Sequence, residues 1–226
     1  MSLALVPLIS LLVTVAIIGL LFFVLIVDTG RRGKQLLAVA DHLTLDYQPY
    51  ASISPRIRDA HFQLIESGQF RYFRHLLQGQ YHNRLAVNQF DYSMVMPEGT
   101  STQTLLLVSC ELPGMRPFLI SQDSWLQEDD AFDDVRHFRL IPLRPEQKPL
   151  LLRRWRIASA DPQTLWPLLN PDVCDWLLAH PHLHIEWSDG ILLICRPRLL
   201  LEAEQTEAAI EPASQLIIKL QAARQS

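Results

Sequence analysis

The residue types best suited to chemistry lie in one short stretch, His180-Pro-His182-Leu-His184-Ile-Glu186, an H-x-H-x-H-x-E pattern. On an extended strand alternate residues share a face, so His182, His184 and Glu186 are expected to point the same way. Two imidazoles and a carboxylate on one face are a candidate set for zinc or another borderline metal. His180 belongs instead to a helix end, where the helix dipole favours a histidine on ordinary grounds. Zinc sites draw three or four ligands from more than one element, and the sequence names no others; Cys174 or Cys195 contributes only if the fold brings it close. The plainer reading, a solvent-facing strand beside a helix cap, is preferred, and no metal or cofactor is assigned.

The other candidates are less specific. The acidic run Glu128, Asp129, Asp130, Asp133, Asp134 lacks the D-x-D-x-D-G spacing that wraps calcium and reads as a solvated loop. Asp91 sits between Phe90 and Tyr92, facing opposite to both on a strand; it is either catalytic or a charge on the wet face of a half-buried strand. Gly30-Arg-Arg-Gly33-Lys34 has the wrong spacing for a phosphate-binding loop, and no strand precedes it. There is no G-x-G-x-x-G, G-x-S-x-G or H-E-x-x-H, and nothing selects a catalytic triad from the available Ser, His and Asp. The expectation is a protein that is not an enzyme.

Composition narrows the partners. A net charge of −4 and interleaved charge signs, with no basic-aromatic clustering, argue against a nucleic-acid surface. The three cysteines, Cys110, Cys174 and Cys195, are widely spaced without C-x-x-C, as suits small buried hydrophobes in a reducing compartment.

The elements that must carry these residues read as α+β. Lys34 to Leu43 continues as a helix until Tyr47-Gln-Pro-Tyr50 breaks it. Ser54-Pro55 starts a helix to about Ser67, with Ile57, Ala60, Leu64 and Ile65 inward and Gly68 as its C-cap. The period then becomes strand-like. Phe73–Gln80 and Leu85–Val95 make a hairpin around Tyr81-His-Asn-Arg84, Pro97-Glu98-Gly99-Thr100 is a turn, and Thr102–Cys110 is a buried strand. Leu112-Pro113-Gly114 turns the chain before Phe118–Ile120. Phe138–Leu143 and Leu150–Ile157 are further strands. Asp161-Pro162 and Asn170-Pro171 cap two helices ending near Leu169 and Ala179, and Asp189-Gly190 closes the clearest hairpin. The tail, Leu201 to Ala223, is helical, with Pro212 starting a second segment or kinking the first. Its stripe of Ile210, Leu216, Ile217 and Leu220 is expected to dock on the protein's own sheet. These elements give antiparallel hairpins with helices packed on one side.

Ahead of all this stands Leu3 to Val27, apolar without a charged residue. At the helical rise it is ~37 Å long, against a hydrocarbon core of ~30 Å, and about twice the length of a signal-peptide core. The run is therefore expected to be a single N-terminal transmembrane helix contacting the lipid bilayer through residues 3–27. Arg31, Arg32 and Lys34 behind it read as a stop-transfer flank. By the positive-inside rule they place the N-terminus outside and the body in the cytoplasm at a bacterial inner membrane. The implied division is an anchor at 1–29, a juxtamembrane connector at 30–53 and a soluble α+β domain at 54–226, or two sub-halves at 54–145 and 150–226.

His75-Leu-Leu-Gln-Gly79, Asn88-Gln-Phe-Asp-Tyr92, Ser101-Thr-Gln-Thr104, Leu112-Pro113 and Pro117-Phe118 together resemble a family of uncharacterised bacterial membrane-anchored proteins. That family has a Phe-Asp-Tyr strand and a Leu-Pro-x-Phe corner. The resemblance covers about residues 60 to 220 and implies a C-terminal helix, a strand pair and a last helix, as Pro171 to Leu220 provides. This chain departs by inserting Gly114-Met115-Arg116 in the corner and by having the single aromatic Tyr92. The resemblance implies architecture and no chemistry. The functional expectation is a membrane-tethered, non-enzymatic interaction module for an unidentified protein partner or a second copy, with no nucleic acid. The alternative is a small-ligand or metal sensor using the 182–186 strand.

Overall fold

The computed structural model describes residues 5–66, 69–96, 99–122, 141–143 and 154–225. The expected Gly68 cap, the first half of the turn at Pro97-Glu98 and the acidic run at 128–134 lie outside them. So do the first half of the strand expected at 138–143 and the start of that at 150–157.

The described strands form one mixed-order antiparallel sheet, β1-β2-β3-β4-β9-β8-β5-β7-β6. They are β1 (Asp46–Tyr50), β2 (Gln69–Tyr81), β3 (Leu85–Met96), β4 (Gly99–Ser109), β5 (Phe118–Ser121), β6 (Ile141–Pro142), β7 (Arg156–Ser159), β8 (His184–Ser188) and β9 (Ile191–Cys195). The β8–β9 hairpin inserts between β4 and β5, so strands from both ends of the chain share one sheet. Its turn has φ of 47° at Asp189 and 73° at Gly190, the left-handed pair that matches strand twist. A Cβ at Gly190 would lie 2.7 Å from the Glu111 carboxylate, an exposed side chain that would have to swing aside.

Helices cover both faces of the sheet, correcting the expectation of one side. On one face pack the C-terminal part of α1 (Leu5–Leu43), α4 (Pro162–Leu165) with a following 3-10 turn, α5 (Pro171–Ala179) and α6 (Thr206–Gln225). On the other lie α2 (Pro55–Asp59) and α3 (Gln63–Glu66), over Phe90, Tyr92, Leu105 and Leu193. The stripe Ile210, Leu216, Ile217 and Leu220 of α6 is buried on the sheet, each side chain contributing about 2 kcal/mol by its removal from water. Pro212 lies inside α6, which continues through it.

The expected helix at 54–67 divides in two. Ser54 caps α2, its hydroxyl accepting from the Ile57 amide, but the chain turns at His61, where φ is 52°. A new helix begins at Gln63 because a carboxylate from β8 takes its first two free amides, as described below.

The largest correction is at the N-terminus. Among the described residues no helix is long and apolar enough to cross a membrane. That finding overturns the single-pass transmembrane anchor, and with it the inner-membrane location and its orientation. The lipid contact expected of residues 3–27 rested on that span. The apolar run is not a separate element: it is the first part of one 39-residue helix. That helix runs on through Asp28, Arg31, Arg32 and Lys34, and buries Leu36, Ala40 and Leu43 against the sheet. Arg32, read as part of a stop-transfer flank, is bound inside the fold.

Candidate functional site

Two buried polar clusters and one exposed aromatic edge contain the residues whose chemistry stands out. The first cluster centres on Glu186. On β8, His184 and Glu186 share a face, as their spacing predicts, and His184 Nε2 lies 2.7 Å from Glu186 Oε1. The same carboxylate accepts the amides of Gln63 at 2.6 Å and Leu64 at 2.8 Å. It therefore supplies the negative charge that the open N-terminus of α3 favours. Tyr92 donates to the Leu64 and Ile65 carbonyls of the same turn, and burial raises its phenol well above the ordinary range.

His182 does not join this group. It lies in the turn before β8 with φ of 63°, exposed, its amide donating to Gln122 Oε1. His180 closes α5 as its C-cap, with Nδ1 donating to the Trp176 carbonyl and its ring stacked on that indole. The strand begins two residues later than expected and is buried along its whole length, so the solvent-facing reading is corrected as well. Among the described residues no three His, Cys, Asp or Glu side chains converge on a position that could hold a metal. Cys195 pairs across the hairpin from His184, and both are buried. Cys110 is buried elsewhere, and desolvation pushes its thiol up to about 12.

The second cluster joins α1 to the sheet. Arg32 makes a two-pronged contact with Asp91, Nε to Oδ2 at 2.6 Å and an Nη to Oδ1 at 2.8 Å, and donates to the Leu201 carbonyl. Thr104 donates to Asp91 and accepts from the Leu201 amide, closing the network. Beside it the Tyr47 hydroxyl lies 2.8 Å from His75 Nδ1. Gly33 makes room for this pair, since a Cβ there would fall 2.8 Å from the Tyr47 oxygen. Burial, more than the opposing charge of Asp91, holds the His75 imidazole below its usual range, and burial lifts the Tyr47 phenol. Asp91 is thus neither on a wet face nor open to a substrate: it is the internal counter-ion of α1. Sequence reasoning missed Arg32, Tyr47 and His75. The one available signal was an acid in the middle of a strand with no local partner.

The third feature is at the sheet edge. β1 pairs with β2 only between Asp46↔Gln78 and Tyr50↔Arg74, so residues 69–73 of β2 continue past its end. Among the described residues no strand pairs with that stretch on its outer side. Tyr50 (83 % exposed), Phe70 (70 %) and Tyr72 (52 %) stand around it.

No family model matches the chain, and no curated protein matches it. Among solved structures it is similar to the mycobacterial trehalose monomycolate transport factor A, TtfA, with a TM-score of 0.56 and 10% identity over 84% of this chain and 93% of that one. At that identity the likeness is one of fold.

Proposed function

We propose that this chain is a non-enzymatic protein-interaction module, and that it takes an extended segment of a partner protein as an added strand along residues 69–73 of β2. The observation that carries the reading is the unpaired outer edge of that stretch with Tyr50, Phe70 and Tyr72 exposed around it. A free strand edge offers a row of amides and carbonyls to an incoming backbone, and proteins that do not use such an edge normally blunt it with charge or cover. Aromatic side chains are the usual anchors of protein interfaces, because they bury large area with few rotatable bonds. Three exposed together exceed what isolated surface apolar residues require.

The two buried clusters support a role without catalysis. Their charged groups are spent within the fold, Glu186 on α3 and Asp91 on α1.

The test places a photo-crosslinking residue at Tyr72, and separately at Lys219, half-buried on α6, as a control, with the protein in its native cells. The expected result is one discrete adduct from position 72, absent from position 219 and abolished by Phe70→Lys. The Phe70→Lys melting temperature should be unchanged, because the native side chain is largely in water. No adduct at 72, or the same adducts at both positions, would refute the proposal. An adduct that proves to be a second copy of this chain would replace it by self-association.

A further inference from the structure

A cavity of about 280 Å³ lies between α6, α5 and the β4–β9 part of the sheet, away from the exposed edge of β2. It exists because α6 presents Ala209, Pro212 and Ala213 to this part of the sheet, where Leu106 and Ile194 do not reach far enough to fill the space. A volume of this size equals that of roughly nine water molecules at ~30 Å³ each. Close-packed interiors leave few voids larger than one water, and an apolar cavity of ~150 Å³ already stays dry and takes benzene. A void this large with mainly aliphatic walls is shaped for a small organic molecule.

Two observations specify which. Trp176 lines the cavity, is 4% exposed, and its indole N–H has no hydrogen-bond partner. A buried donor without an acceptor is costly, and the stacked His180 does not supply one, since its ring lies nearly parallel to the indole at 4.1 Å and faces it rather than meeting the N–H end on. Two oxygens on the wall are already engaged: Thr104 Oγ1 with Asp91 and the Leu201 amide, and Gln205 Oε1 with the Glu202 amide. The second observation is charge. Arg196, which is exposed, is the one formally charged residue among those lining the cavity, and no carboxylate pairs with it among the described residues.

We infer that this cavity is a binding site for a small monocarboxylate of about nine or ten non-hydrogen atoms in all, most of them an apolar body. The aliphatic wall takes the body, the Trp176 indole donates to an acceptor on the ligand, and Arg196 at the rim favours its negative charge. Nothing in this site uses the exposed edge, so the inference stands apart from the interaction role.

The experiment is a titration of the full chain, labelled with ¹⁵N, with octanoate, following the indole N–H resonances of its five tryptophans. Trp176→Phe identifies the Trp176 signal by its loss. Octanoate should shift that signal saturably, and Trp176→Phe should weaken octanoate binding about tenfold, as expected for losing a hydrogen bond to a charged group. Octylammonium, of like body and opposite charge, should bind at least tenfold more weakly, and Arg196→Gln should narrow that difference. Ala209→Leu, which fills the void with little change to the helix, should abolish the shift. No movement of the Trp176 signal would overturn the inference. Equal binding of octanoate and octylammonium would overturn its charge requirement, and unaltered binding to Ala209→Leu would overturn its location.

Discussion

Asp91→Ala is the substitution that most directly tests how α1 is held. In the folded protein Asp91 is the acceptor for two Arg32 donors and for Thr104, with side-chain exposures of 16% for Arg32 and 8% for Asp91. Truncation removes both carboxylate oxygens from the guanidinium, inside a partly dehydrated site. Breaking one side of a buried pair costs about 3–5 kcal/mol; because Arg32 retains some contact with water, the lower end, about 3 kcal/mol, applies. For a chain of this length that corresponds to a fall in melting temperature of about 6–12 °C. Replacing both partners by apolar residues, Arg32→Met with Asp91→Leu, removes the stranded charge and should return stability to within about 1 kcal/mol of the parent. Urea denaturation measures both values. Hydrogen exchange of the amides of residues 35–43 locates the loss on α1, since protection there should fall in the single variant and recover in the double one. A loss below about 1 kcal/mol for Asp91→Ala would mark the pair as an ordinary surface contact and refute the reasoning. So would a double variant as unstable as the single.

Gly33→Ala should destabilise the protein by about 1–2 kcal/mol despite the better helix propensity of alanine, because its Cβ meets the Tyr47 oxygen; Tyr47→Phe in the same chain should recover part of the loss in urea titrations. His75 is held below its ordinary imidazole range, so the unfolded chain binds more protons just below pH ~6.5. Stability should therefore fall as pH drops through that region, and the slope should flatten in His75→Gln. Native-state alkylation followed by mass spectrometry should find Cys174, which is half-buried, modified before Cys110, whose buried thiol is pushed up to about 12. Glu186→Leu should cost about 2–3 kcal/mol through the orphaned amides of Gln63 and Leu64, with Glu186→Gln milder, read as melting temperatures.

The parts of the fold that were legible in the sequence are those set by neighbours in the chain. The β8–β9 turn follows from Asp189-Gly190, the starts of α2, α4 and α5 from Ser54-Pro55, Asp161-Pro162 and Asn170-Pro171, and the buried face of α6 from its own period. Each depends on side chains within four residues of the backbone they control, and so each leaves a pattern. The same locality misled at the N-terminus. A run of apolar residues reads as a membrane span when taken alone, but whether it is an element of its own depends on where the helix ends, which here is at Leu43, after Arg32 has found Asp91.

The polar sites failed to show for a different reason. Glu186 reaches the amide of Leu64 across 122 residues of chain and Arg32 reaches Asp91 across 59, and no local pattern records such distances. Composition offered only the types, a carboxylate and histidines at alternate positions, and those types serve metal binding, catalysis and helix capping equally well. What separates these roles is the number of lone pairs left over once the fold has taken its share. Glu186 has two amides and an imidazole on its carboxylate, so its charge is already answered within the protein. The Trp176 indole is the opposite case: it is buried on α5, yet its N–H is left over. An unremarkable tryptophan thereby becomes a better guide to a ligand than the histidine-rich strand beside it, because an unmet buried donor is a standing free-energy cost that binding relieves.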